Sequence, residues 1–150
     1  MPAPNFERLD VCEAIQQVVD LYATTDEAKI ELNCKVQSEL WFDRSYFNRI
    51  ITNLLKNALQ AIPENRQGLV QIFAYETDQE CIVEVKDNGS GMSEDQAAHI
   101  FKPYFSTKIS GMGLGLPIIK SMIESGSGSI SFVTQKDEGT TFTIKLPKLQ

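Results

Sequence analysis

Apolar residues recur at helical spacing in some stretches of this chain and alternate with polar ones in others, and the two periods divide it into elements. Val11, Ala14, Ile15, Val18, Val19 and Tyr22 share one helical face, Asp10 is placed to cap that helix, and it ends near Thr25. Ile30, Leu32, Cys34 and Val36 alternate and predict a strand over residues 29–37; residues 40–42 predict a short second one. Asp43 caps the longest helix, whose stripe of Phe47, Ile50, Ile51, Leu54, Leu55, Ala58, Leu59 and Ile62 runs to a stop at Pro63. Residues 63–68 read as a loop. Residues 69–76 and 80–86 predict strands joined by a tight turn, and Ser93 with Asp95 opens a short helix. Residues 101–113 carry few regular signals and read as a mobile loop with two possible hinges. A helix over 114–124 follows the glycines, then strands over 129–134 and 140–146 flank a Lys-Asp-Glu-Gly turn. The order predicts an α+β fold: a two-layer α/β sandwich, with a mixed, mainly antiparallel sheet and helices on one face. No repeat or internal boundary interrupts residues 10–150, which read as one domain entered through a linker, residues 1–9.

Composition narrows the partners. The chain has 150 residues and a net charge of -6, with 42% hydrophobic and 23% charged residues. Such a balance suits a folded domain and disfavours nucleic acid, whose phosphates call for a basic face. A bound polyphosphate would be held by local features against the overall field. The three cysteines, Cys12, Cys34 and Cys81, have no metal-ligand spacing; Cys12 and Cys81 sit among apolar neighbours and read as small core residues, which favours a reducing, cytoplasmic compartment. No apolar run approaches the roughly 20 residues of a membrane helix.

Three short motifs carry candidate chemistry. Asn53 and Asn57 lie one turn apart at the edge of the buried face of the long helix, Asn57 beside Ile50 and Ala61. An amide oxygen there suits magnesium, which prefers oxygen ligands; on the helix alone the plainer reading has both amides bonding a loop backbone. Asp87-Asn-Gly89-Ser-Gly91-Met92 follows a buried-looking strand. It is ordinary turn chemistry, or else a carboxylate placed to accept from a base amino group beside a backbone that can approach the ring. Gly111-Met-Gly113-Leu-Gly115 before a helix frees N–H groups at the positive end of a helix dipole, as a phosphate cradle or as a hinge. Its spacing matches neither the P-loop nor the dinucleotide fingerprint.

In this order, with the intervening Phe101-Lys-Pro-Tyr-Phe-Ser-Thr-Lys108 and the closing Gly139-Thr-Thr-Phe142, the motifs resemble the catalytic and ATP-binding domain of sensor histidine kinases, in the superfamily with gyrase, heat-shock chaperone and mismatch-repair ATPases (the Bergerat fold). The stretches around residues 53–62 and 103–108 are most similar to nitrogen-regulation-type kinases. The resemblance covers residues 10–146. It implies ATP and Mg2+ as cofactors, with Asn57 on the metal and Asn53 beside it on phosphate or a metal-bound water. Asp87 would accept from the adenine amino group, supported by Thr140. Ala61, Gly89, Gly91 and Met92 would line the base pocket, and residues 101–111 would form an ATP lid with Tyr104 and Phe105 as apolar anchors. Thr107 and Lys108 would reach phosphates, and Gly111, Gly113, Leu114 and Gly115 would offer N–H groups. Gln60 stands where many relatives carry a basic phosphate ligand, leaving Lys56 or Lys108 as the substitute.

The family passes the γ-phosphoryl group to a histidine on a separate dimerisation domain, and from there to a response regulator receiver domain. The one histidine here, His99, lacks an acceptor context, so the resemblance implies the phosphate-donating half of a kinase, with residues 1–9 as the joint to the rest and no certain catalytic residue of its own. Such a piece is expected to be monomeric, without membrane contact, and to be cytoplasmic or the cytoplasmic part of a membrane-bound sensor. Two other readings share the fold. A conformational ATPase needs a general base where this chain has Asn53, and an amide cannot serve. A nucleotide-binding regulatory module would keep binding without transfer.

Overall fold

Two aspartates start the two long helices. The Asp10 carboxylate accepts the Glu13 N–H at 3.0 Å and opens α1 (Val11–Leu21); Asp43 accepts the Tyr46 N–H at 2.9 Å and opens α2 (Arg44–Gln60). The computed structural model describes residues 3–24, 28–102 and 115–149. Both helices stop short of the end of their apolar pattern. Tyr22 N–H turns back to Val19, and Ala61 N–H bonds both Asn57 and Ala58, so each helix tightens before its terminator is reached.

The strands are β1 (Phe6–Asp10), β2 (Ala28–Cys34), β3 (Glu39–Asp43), β4 (Gly68–Glu76), β5 (Glu80–Asp87), β6 (Ser129–Gln135) and β7 (Gly139–Pro147). β1 and β3 pair antiparallel as a small sheet, with Leu9 opposite Leu40. The strand at residues 6–10 has no counterpart in the sequence reading, which places a linker there: along it only Leu9 is fully buried, so no alternation marks it. The other five strands lie in the order β2-β4-β5-β7-β6, with β2 and β4 parallel and every other pair antiparallel. This is the mixed, mainly antiparallel sheet that the pattern predicts.

Alternation decides which face is covered. Val70, Ile72 and Ala74 of β4, Cys81, Val83 and Val85 of β5, and Phe142, Ile144 and Leu146 of β7 are buried under α1, α2 and α4 (Leu116–Ser125). α2 packs on β4 and β5 and touches both other long helices. The short α3 (Glu94–Ala97) is closed by a capping box in which Ser93 and Gln96 exchange side-chain and backbone bonds.

The cysteines differ from expectation. Cys12 of α1 and Cys34 of β2 form a disulfide, with Cα atoms 5.7 Å apart, while Cys81 is free and buried. Linear spacing could not show that α1 lies against the end of β2. The pair removes the argument for a reducing compartment. Burial pushes the Cys81 thiol up to about 12, as an inert core residue requires.

Candidate functional site

The C-terminal ends of α2 and β5 meet beside the start of α4, and the first two motifs converge there. Asn57, Ala61, Asp87, Met92, Ile100, Leu116, Thr140 and Phe142 line one small cavity. Its free volume is only about 10 Å³, room for one water, so a purine would enter by displacing part of the wall. A larger open groove of about 500 Å³ shares Ala61 with it and runs over Gln60, Ser90, Gly91 and Lys136.

Asp87 is 6% exposed at the end of β5. Its Oδ1 accepts the Gly89 N–H at 2.8 Å and the Thr140 N–H at 3.3 Å. Burial holds the carboxyl above its ordinary range, and those two N–H groups oppose the shift without cancelling it. Both described donors use the same oxygen. Oδ2 receives no hydrogen bond from the described residues, so one oxygen of this largely buried carboxylate is left for a donor entering the cavity.

Thr140 acts on Asp87 through its backbone. Its hydroxyl lies 2.9 Å from that of Thr134, which also accepts the Met92 N–H at 2.9 Å. The β6–β7 hairpin therefore fixes both the carboxylate and the start of the segment that follows it.

The buried Asn57 amide makes no hydrogen bond with any described residue, although it lines the cavity. Asn53 sits on the same face one turn earlier, half-buried, its Nδ2 donating to the Arg49 carbonyl at 2.8 Å. A Cβ on Gly115 would come within 2.8 Å of Asn53 Oδ1, so this glycine lets the start of α4 rest on the asparagine. Gly115 caps α4 with no side-chain bond, leaving the first amides of that helix unpaired by a cap beside Asn53.

Gly89 and Gly91 have packing reasons of their own. A Cβ on Gly89 would meet the Ala61 carbonyl oxygen at 2.5 Å; Gly91 has φ +66°, and its Cβ would fall against the Gln135 carbonyl. The missing methyls face α2 and the hairpin. Thr107, Lys108, Gly111, Gly113, Leu114 and the anchors Tyr104 and Phe105 lie outside the described residues. Lys56 and Gln60 are exposed on α2. His99 follows α3, with Nε2 3.8 Å from the Asp95 carboxylate one turn back.

Sequence reasoning gave no site role to Ile100, Leu116 and Phe142, the apolar walls of the cavity, although Phe142 closes a quoted motif, nor to Arg66 and Asn88 behind the Asp87 turn. Ordinary core periodicity hides the first three, and nothing in the sequence singles out Arg66. Asn88 had a signal, the Asp-Asn-Gly turn, but not a partner.

A mixed sheet covered on one face by helices, with Asp87 at a strand end lining one cavity with Asn57 of α2, is the architecture of the histidine kinase and gyrase class of ATPase domains. The chain belongs to the family described as histidine kinase-, DNA gyrase B-, and HSP90-like ATPase, whose profile matches residues 42–150. It is 33% identical over 144 residues to sporulation kinase B of Bacillus subtilis, covering 94% of this chain and 33% of that protein. It is 37% identical over 109 residues to the sensor histidine kinase ZraS of Escherichia coli, covering 73% of this chain and 23% of that one. The catalytic domain of histidine kinase ThkA superposes with a TM-score of 0.84 at 26% identity, covering 96% of each chain. The chain thus spans only about a quarter to a third of the length of these two curated relatives.

Proposed function

We propose that this chain binds MgATP and presents the γ-phosphoryl group to a histidine on a separate helical dimerisation domain, as the phosphate-donating part of a two-component sensor kinase that goes on to a response regulator. Residues 10–150 would be the catalytic domain, and the leading residues the approach to the acceptor part. The observation that carries the reading is the free Oδ2 of buried Asp87 in the Asn57 cavity. It fits one exocyclic amine, and Met92, Ile100, Leu116 and Phe142 supply apolar surface for the ring that bears it.

The residues present also fit a magnesium ion brought with the phosphates. Among the described residues no group of three His, Cys, Asp or Glu could hold a metal alone. The unpaired Asn57 amide would supply one hard oxygen ligand and leave the other positions to phosphate and water. When bound, the ion would neutralise charge on the transferring phosphate. The chain's own part is positioning: Asp87 orients the base, the Gly115 end of α4 offers amides to the phosphates, and the Asn53 and Asn57 amides hold the polar side without providing a base.

The test is calorimetry with Asp87→Asn. Asparagine keeps an Oδ1 acceptor for Gly89 and Thr140 but removes the charge and turns an amide donor toward the ligand. MgATP affinity is expected to fall by about one to two orders of magnitude, the loss of a charge-assisted hydrogen bond. Unchanged affinity in a folded variant would refute the adenine assignment.

A further inference from the structure

The turn that carries Asp87 is held from behind by a loop with no chemistry of its own. Arg66, half-buried in the segment after α2, donates from a single guanidinium nitrogen to two backbone carbonyls, Asn88 at 2.6 Å and Gly89 at 2.9 Å. The loop is itself closed by the Arg66 N–H on the Pro63 carbonyl at 3.1 Å. Asn88 answers from the other side. Its Nδ2 donates to the Gln67 carbonyl at 3.0 Å, and its Oδ1 accepts the Leu69 N–H at 2.8 Å. Ser90 then fastens the far end of the turn, its N–H and hydroxyl both donating to the Ala61 carbonyl.

One peptide unit links this clasp to the site. The carbonyl of Asn88 and the N–H of Gly89 belong to the same planar group. The oxygen of that plane is taken by Arg66, and its N–H donates to Asp87 Oδ1 at 2.8 Å. Fixing the oxygen therefore fixes the direction of the N–H, which fixes the rotation of the carboxylate and with it the heading of the free Oδ2. Glycine at position 89 lowers the resistance of this peptide to rotation, so an external hold is useful there. A cation on the carbonyl also polarises the N–H it opposes, strengthening its bond to Oδ1. Arg66 acts on Asp87 through the backbone of the turn and makes no bond to the carboxyl itself.

We propose that Arg66 is a positioning residue for recognition of the purine amino group: by clamping the Asn88–Gly89 peptide it aims the free oxygen of Asp87. This rests on the nucleotide reading of Asp87 given above.

The experiment compares affinities of the chain for MgATP and for magnesium purine riboside triphosphate, which lacks the 6-amino group. Arg66→Met keeps the aliphatic stem and removes the donors. Its ATP affinity is expected to fall about tenfold, the scale of one hydrogen bond to a charged acceptor, while affinity for the deaminated analogue stays within about twofold. Arg66→Lys, which can offer two N–H groups from one nitrogen, should restore most of the discrimination. An arginine that only stabilises the loop would lower the melting temperature and weaken both ligands alike, and that result overturns the proposal. Arg66→Gln, with a shorter and neutral donor, decides the matter if the methionine variant does not fold: unchanged discrimination overturns the proposal, reduced discrimination supports it. Asp87→Asn separates the two levels of argument. If that variant still discriminates the two nucleotides, the reading of Asp87 has failed; if it does not discriminate while Arg66→Met does, only the role of Arg66 has failed.

Discussion

At Asp87 function and stability pull against each other, and pH exposes the conflict. Burial raises the folded-state pKa of this carboxyl above the unfolded one. A group shifted in that direction favours the fold below its unfolded pKa, near about 4, and loses that contribution as pH rises through the folded value. At neutral pH the empty protein therefore carries an ionised carboxylate at a net cost. Asp87→Asn is expected to raise the melting temperature of the nucleotide-free chain at pH 7, even as it weakens ATP binding, and the advantage should shrink toward zero at about pH 4. Thermal melts of both forms across that range check the sign. A variant less stable than the parent at pH 7 would show that the bonds from Gly89 and Thr140, not desolvation, dominate the site.

At the scale of elements, two glycines that look alike in sequence do different things. Gly91 has φ +66°, and a methyl there would run into the Gln135 backbone, which cannot swing away. Gly91→Ala is expected to cost about 2 kcal/mol or more, or about 4–8 °C of melting temperature in a domain of this size. Gly115 has φ -93°, an ordinary conformation, and its methyl would meet only the Asn53 side chain. Gly115→Ala should leave the melting temperature within about 2 °C, since α4 gains no strain, and weaken MgATP binding by displacing Asn53. Melts and calorimetry on the pair separate scaffold from site; equal effects of both variants on stability would contradict the distinction. The same contrast shows what the sequence could and could not convey. The 3.6 and 2 periods located α1, α2 and the strands of the large sheet because each buries one face against the others. β1 escaped because only Leu9 of it is fully buried, and the Cys12–Cys34 pair because it joins elements far apart in sequence. Asn57 and Asp87 stood out because polar residues lay in apolar or glycine-rich surroundings, Thr140 only through the resemblance; the fold brings all three to one cavity. Ile100, Leu116 and Phe142 did not stand out, since a cavity wall and a core position want the same side chains.

For the whole molecule, the proposed function separates holding ATP from receiving its phosphate. The described site offers amides at Asn53 and Asn57 where water activation would need a base, so hydrolysis by the chain alone should be very slow. The chain's one histidine, His99, stands beside the Asp95 carboxylate just after α3 and is not among the residues lining the Asp87 cavity. Incubated with radiolabelled MgATP, the chain should bind nucleotide and remain unlabelled. Mixed with a helical hairpin carrying an acceptor histidine, it should transfer label to the hairpin in trans. The rate should lie well below that of a covalently joined pair, because a tether supplies about millimolar effective concentration that free mixing at micromolar levels does not. Raising the hairpin concentration should therefore raise the rate in proportion. The charge of -6 adds a second condition: repulsion between the chain and an acidic acceptor hairpin should ease with salt, so moderate salt should speed transfer to acidic hairpins more than to neutral ones. Acid-labile label on His99 in the chain alone would overturn this division of labour, since the donor site would then reach an acceptor of its own.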